Sequence, residues 1–272
     1  MSSRLEGKVA IITGVSHAGQ VGAALAAAFL REGASVSISS RSNERVRARL
    51  EELVGATSKV SPDARAAERL SAETETAQGK LPPGSSLGVA ADLTTEKGAH
   101  KLIMETVKAF GRVDILVNLA GGLTKYGPSA ELSLADWEAE LNNNLRTTFL
   151  CTRAIWPFML QQGGGKILNF SRAGGAQRSG PNMAAYNAAK AGVDALTLTF
   201  AQEGKAHNIY VNAIGPGLII TQSNLASMHP SPEELAAKWV SMEQIVEAVL
   251  FLISSASDGV TGALLAVQGR GI

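Results

Sequence analysis

Tyr186 and Lys190 are four residues apart in the stretch Tyr186-Asn187-Ala188-Ala189-Lys190. In a helix that spacing puts a phenol and an ammonium on one face, a turn apart. A free phenol titrates near ~10, and a neighbouring cation favours the phenolate. Such a pair is expected to give and take a proton nearer neutral pH than tyrosine alone. An ordinary surface helix carries the same spacing by chance, so its meaning rests on what else the chain brings to that place. Two further polar residues qualify. Ser171 follows the apolar run 166–170 (KILNF), where a strand would deliver it at its carboxyl end. Asn144 falls on the apolar side of a helix carrying Trp137, Leu141 and Leu145, and a buried Asn needs partners.

Behind these residues stands a repeating alternation of strands and helices. The apolar run 8–13 reads as a strand buried on both faces. It runs into Gly14-Val15-Ser16-His17-Ala18-Gly19-Gln20-Val21-Gly22, and the Ala-rich helix 23–31 follows, with Gly33 at its stop. Strand, glycine-rich turn and helix in that order let a backbone approach a pyrophosphate resting on a helix N-terminus. A plain βα turn is the other reading. The second strand, 34–40, ends at Ser40-Arg41 with no acid. An acid there would bind the 2′-hydroxyl of NAD, whereas Arg accommodates the 2′-phosphate of NADP. NADP(H) is therefore expected in preference to NAD(H).

Further strands are predicted at 87–91, 113–118, 166–170, 209–214 and 262–267. Helices fall at 96–110, after a Ser133–Asp136 cap, around Tyr186, and at 245–253 behind a Ser241/Gln244 capping box. The fold class expected is α/β: one doubly wound Rossmann-type domain over 1–272, with a seven-stranded parallel sheet flanked by helices. The span 55–88 lacks a convincing apolar stripe and reads as a surface insertion. Ser61-Pro62-Asp63 opens a helix there, and a Pro/Gly/Ser loop closes it.

Bulk properties narrow the function. Hydrophobic residues at 45% supply a large core, and 28 glycines beside 5% aromatics suit tight turns. A net charge of +1 argues against a nucleic-acid surface or a polybasic membrane patch. One cysteine, Cys151, excludes an internal disulfide and a cysteine-rich metal site, so no metal is expected. There is no signal-like run and no stretch of ~18 apolar residues. The expectation is a soluble protein of a reducing compartment, the cytoplasm.

With these pieces in order, the chain resembles a short-chain dehydrogenase/reductase over nearly its whole length. It is similar to 3-oxoacyl carrier-protein reductases. The matching residues are Thr13-Gly14 with Gly19 and Gly22, Asp92-Leu93, Asn118 with Ala120-Gly121, Asn144, Ser171, Tyr186 with Lys190, and Pro216-Gly217 with Thr221. The resemblance implies hydride transfer between a nicotinamide and a carbonyl or alcohol carbon. It makes Tyr186 the acid or base, and Lys190 a support for the phenolate and a partner of the nicotinamide ribose. Ser171 would orient the substrate oxygen, and Asn144 would position a relay water. It places Gly14, Ser16, Gly19, Val21, Gly22, Ser40 and Arg41 around the phosphates and adenosine, Asp92-Leu93 near the adenine, and Asn118, Ala120 and Gly121 near its ribose. Pro216, Gly217, Ile219 and Thr221 would lie near the nicotinamide, with a substrate loop at about 218–240. It also implies a homo-oligomer, a tetramer or dimer, with the helix 138–157 in its interfaces.

The chain departs from the pattern at four points. The glycine loop is two residues longer than TGxxxGxG, so Gly19 is expected to do the second glycine's work while His17 or Ala18 bulges outward. Leu119 replaces the second Asn of NNAG. Ser171 precedes Tyr186 by fifteen residues and is followed by Arg172 instead of a second serine. If the extra residues fall after Ser171 its role survives, and otherwise Arg172 sits in the serine's place. The chain closes on VQGRG where VDGG is common. A second function class stays open: a non-catalytic NADP-binding regulator or scaffold of the same fold, distinguished by tight NADPH binding without turnover.

Overall fold

The computed structural model describes residues 3–57, 80–175 and 179–270. Ser61-Pro62-Asp63 and most of the span 55–88 lie outside the described residues. Seven strands form one parallel sheet: β1 (Val9–Ile12), β2 (Ser35–Ser40), β3 (Ser86–Ala90), β4 (Ile115–Asn118), β5 (Gly165–Phe170), β6 (Ile209–Pro216) and β9 (Leu264–Val267). Their order is β3-β2-β1-β4-β5-β6-β9. The chain builds outward from β1 on one side and then returns to add β4 on the other. The crevice at this reversal, at the carboxyl ends of β1 and β4, is where an open α/β sheet receives ligands.

Helices cover both faces, which is why most strands read as continuous apolar runs without alternation. On one face α1 (Val21–Arg31) and α9 (Met242–Ile253) pack on Ile12, Ile38, Val117, Leu168 and Phe170. On the other, α3 (Glu96–Phe110), α5 (Thr147–Gln161) and α6 (Ala184–Gly204) cover Ile11, Leu116, Ile167 and Val211. Cys151 is wholly buried among these, and burial pushes its thiol up to about 12. The capping signals act as read: Ser133 accepts from Asp136 N, and Ser241 with Gln244 forms a reciprocal box.

Two features exceed the sequence reading. The helix after Ser133 is α4 (Leu134–Leu141), which passes through a π turn at Asn142–Arg146 into α5, and Asn144 sits in that turn. The stretch 218–240, where Pro232 and Glu233 after Ser231 signal a helix start, also holds more than that one helix. It holds β7 (Leu218–Ile219) paired with β8 (Trp239–Val240), and between them α7 (Gln222–Met228) and α8 (Pro232–Lys238). Gly269 of the VQGRG ending packs on this unit. A Cβ there would lie 2.4 Å from the Lys238 carbonyl carbon, so no side chain fits. Among the described residues no helix is long and apolar enough to cross a membrane, and no group of three or more His, Cys, Asp or Glu could hold a metal ion.

Candidate active site at the carboxyl edge of the sheet

The turn after β1 is built for close backbone approach. Gly14 takes φ +77°, and a Cβ on it would lie 2.7 Å from Ala120 Cα. Thr13 Oγ1 accepts from the amides of Leu119 and Ala120, at 3.0 and 2.9 Å, and so pins the end of β4 beside this turn. His17 and Ala18 are exposed while Gly19 takes φ +64°, so the lengthened loop bulges as the sequence suggests. Gln20 is the N-cap of α1 and makes no side-chain cap, which leaves the first-turn N–H groups for an anion. Val21 is buried, and Gly22 is pressed between Val15 and Leu119. Ser16 and Ser40 share a hydrogen bond of 3.1 Å between their hydroxyls, and Arg41 beside them is exposed. Ala120 and Gly121 continue this floor, where a Cβ at Gly121 would meet Asn144 Oδ1 at 2.5 Å.

Other residues expected around a dinucleotide are placed differently. Asp92 is exposed, and its carboxylate accepts from Thr94 N and Oγ1 at the start of the α3 turn. The Leu93 side chain does not face the crevice but is buried in the core under α3. Nor does Asn118 offer its side chain to a ribose. Its amide donates to Thr152 Oγ1 and Asn169 Oδ1 inside the protein, bracing β4 against β5 and α5. Only main-chain atoms of these two residues can line the edge. Pro216 ends β6, with Gly217 after it and Ile219 in β7, all half-buried. Thr221 is buried and caps α7 through Asn224 N. Gln20 Nε2 donates to Ser223 Oγ at 3.1 Å, which ties α7 to the glycine turn.

Asn144 is fully buried and its side chain is fully engaged. Oδ1 accepts from Gly122 N, while Nδ2 donates to Gly122 O, Glu140 O and Glu140 Oε2 at 3.0–3.1 Å. Sequence reasoning passes over Glu140, whose spacing four residues before Asn144 is the signal that places both on one face. Its other oxygen accepts from Thr124 N, Thr124 Oγ1 and Lys125 N. Glu140 therefore ties the loop after β4 to the π turn.

Tyr186 and Lys190 lie near the start of α6, as the spacing predicts. Lys190 is buried, and its Nζ donates to Phe170 O at the end of β5, at 2.7 Å. Burial lowers its pKa to about 8, against the opposing pull of Asp194 and Glu140. The expectation for Tyr186 needs correction. Its pKa is raised, because burial outweighs every charge, and the charge opposing that rise is Arg172, not Lys190. Lys190 Nζ stands 5.7 Å from the centre of the phenol ring. The free protein therefore holds Tyr186 as the neutral phenol.

Ser171 stands where the sequence puts it, directly after β5, but its hydroxyl is closed off from solvent. That hydroxyl makes no hydrogen bond of full geometry among the described residues. It faces Asp194 of α6, whose carboxyl is raised by burial and pulled back by Ser171, Lys190 and Arg172. The guanidinium of Arg172 donates through Nη1 to Asn187 Oδ1, at 2.8 Å, next to Tyr186.

Comparison with known proteins agrees with this arrangement. A family profile described as enoyl-(acyl carrier protein) reductase matches residues 63–269. The chain is 30% identical to the 3-oxoacyl-[acyl-carrier-protein] reductase FabG of Thermotoga maritima, over 98% of each chain. It is 33% identical to the (2S)-[(R)-hydroxy(phenyl)methyl]succinyl-CoA dehydrogenase subunit BbsD of Thauera aromatica, over 97% of this chain and 96% of that one. A crystal structure of a short-chain dehydrogenase/reductase from Burkholderia xenovorans superimposes with a TM-score of 0.80 at 32% identity, covering 99% of this chain and 98% of the other. That of levodione reductase gives 0.80 at 27% identity, covering 98% of both. With the seven-stranded parallel sheet, the glycine turn and the Tyr–Lys helix in place, the chain belongs to the short-chain dehydrogenase/reductase family of oxidoreductases.

Proposed function

We propose that this protein is an NADP(H)-dependent ketoreductase or secondary-alcohol dehydrogenase, one domain throughout, with Tyr186 as its acid and base. The observation that carries the reading is the meeting of two surfaces at one sheet edge. One is the side-chain-poor floor of Gly14, Ala120 and Gly121 before an uncapped α1. The other is the Tyr186–Lys190 pair, tied to the end of β5 through Phe170 O. A dinucleotide fits the first surface: the amides at α1 suit its pyrophosphate, and Gly14 and Gly121, where a Cβ would collide with Ala120 and Asn144, let the turn, the end of β4 and the π turn close on one another beneath it. When bound, its nicotinamide supplies or accepts the hydride.

The remaining chemistry falls to this chain. Tyr186, neutral in the free protein, donates its proton to the substrate oxygen in reduction and takes one back in oxidation. Lys190 holds a positive charge one helical turn away and has donors beyond the one given to Phe170 O for a ribose hydroxyl. Asn144 supports the site by holding Gly122 and the π turn, beside any water it helps place. Ser16, Ser40 and the exposed Arg41 present two hydroxyls and a guanidinium at the end of β2, and no acid there opposes a 2′-phosphate. Carbonyl chemistry is favoured over enoyl reduction by the four-residue Tyr–Lys spacing, although the matching profile carries an enoyl reductase description. The partner surface is a second copy of this chain. Leu141, Leu145, Phe149, Ala195 and Leu196 line a groove of about 700 Å³ along α4, α5 and α6.

The test is turnover of NADPH with a panel of ketones and oxoacyl thioesters. Tyr186→Phe is expected to lose about 10²–10⁴-fold in kcat. Arg41→Asp should shift preference toward NADH. Equal turnover by wild type and Tyr186→Phe would refute the mechanism. Tight NADPH binding without reduction across the panel would favour a scaffold instead.

A further inference from the structure

Resting on the reading above, we propose that Arg172, rather than Ser171, binds the substrate oxygen beside Tyr186. The register of β5 decides which way Ser171 points. Phe170 pairs with Ile214, Ser171 N donates to Ile214 O at 2.8 Å, and Ala173 N donates to Pro216 O at 3.1 Å. Pairing thus runs unbroken past Ser171, and the extra residues before Tyr186 fall after Ala173. The place of the extra residues alone would leave Ser171 its role, and it is the direction of its side chain that removes it. Strand alternation therefore holds through this segment.

Asn169 and Ser171 share a face. The Asn169 amide donates to Thr197 Oγ1 of α6 inside the core, and Ser171 turns the same way toward Asp194, three residues earlier on that helix. Its hydroxyl is sealed under α6 and does not open on the crevice. Alternation sends the Arg172 side chain the other way from that of Ser171. Its half-buried side chain reaches across the strand end to Asn187, the neighbour of Tyr186. Its charge is felt at the Tyr186 phenol.

A guanidinium has five N–H donors in a planar fork, so the bond to Asn187 leaves others for an oxygen. It does what a serine hydroxyl would do, with a full charge and a stronger bond. In reduction, hydride from the reduced nicotinamide dinucleotide adds to the carbonyl carbon. The π electrons of C=O move onto oxygen, and that oxygen takes the Tyr186 proton, leaving a phenolate. Arg172 stabilises the developing negative oxygen and keeps its own protons throughout.

The experiment compares wild type with Ser171→Ala, Arg172→Ala and Arg172→Lys, with Tyr186→Phe as control. It measures kcat on a ketone that the wild type reduces, NADPH affinity, and the phenol titration of Tyr186 by ultraviolet difference absorbance. Ser171→Ala is expected to stay within about threefold of wild type. Arg172→Ala should lose about 10²–10³-fold in kcat with NADPH affinity unchanged, and its Tyr186 titration should move to higher pH. Arg172→Lys should restore about tenfold of the loss and much of the titration, which separates a lost charge from a folding defect. A collapse in Ser171→Ala, or full turnover in Arg172→Ala, overturns the proposal. An active Tyr186→Phe overturns the underlying mechanism instead.

Discussion

Lys190 is a cation held where water barely reaches it, and that position has a thermodynamic signature. Its folded pKa of about 8 lies below the ~10.4 of an unfolded lysine. Between those values the unfolded chain binds the proton more tightly than the folded one. The group's contribution to stability is fullest above the unfolded pKa and is lost as pH falls toward 8. The total is on the order of 3 kcal/mol. In the protein free of dinucleotide, Lys190→Met should therefore raise stability at pH 7, and the gain should shrink as pH climbs from 8 toward 10. Urea unfolding free energies at several pH values measure this, and a gain that stays constant with pH would show that Lys190 is not desolvated. A stability cost at a residue that faces both Tyr186 and the strand end is what a functional site permits itself.

At the scale of elements, the site depends on how the loop after β4 is tied to the long helix α4–π–α5. Glu140 makes that tie. It is wholly buried and accepts bonds from Thr124, Lys125 and Asn144. Glu140→Ala should destabilise the protein by about 3 kcal/mol, since it removes several hydrogen bonds to one carboxylate and bonds to charged groups contribute roughly 1.5–3 kcal/mol. It should also free the loop, raising KM more than it lowers kcat. Denaturant unfolding and steady-state kinetics give the two readouts, and a change under 0.5 kcal/mol would mean that water replaces the carboxylate easily. The π turn is part of the same device. An extra residue in one helical turn offsets the ladder and lets Asn144 face Gly122 while α5 keeps its own face on the core.

At the scale of the whole molecule, α5 and α6 leave large apolar side chains in water. Phe149 of α5 is 37% exposed and lines the groove along α4, α5 and α6, and Leu198 of α6 is 46% exposed. A second copy would remove these side chains from water. By analytical ultracentrifugation the wild type is expected to sediment as a dimer or tetramer, and Phe149→Glu as monomers. A wild type that sediments as a monomer at micromolar concentration would refute the assembly.

The sequence by itself determined the alternation of strands and helices, the glycine turn, the helix caps and the Tyr186–Lys190 face. Each of these is written in short-range patterns: apolar runs, a glycine where a side chain would collide, a side-chain oxygen three residues before an amide. That His17 or Ala18 would point outward came from the resemblance, against which the loop is two residues longer, and both are exposed. Only the tertiary structure decided that Ser171 turns its hydroxyl into α6, that Leu93 and Asn118 face the core, and that Glu140 is buried. Alternation tells which residues share a face, but the neighbouring strand and the covering helix decide which face is sealed. The raised pKa of Tyr186 has the same origin. Its neighbour in sequence promised a stabilised phenolate, and desolvation by distant parts of the chain outweighed it.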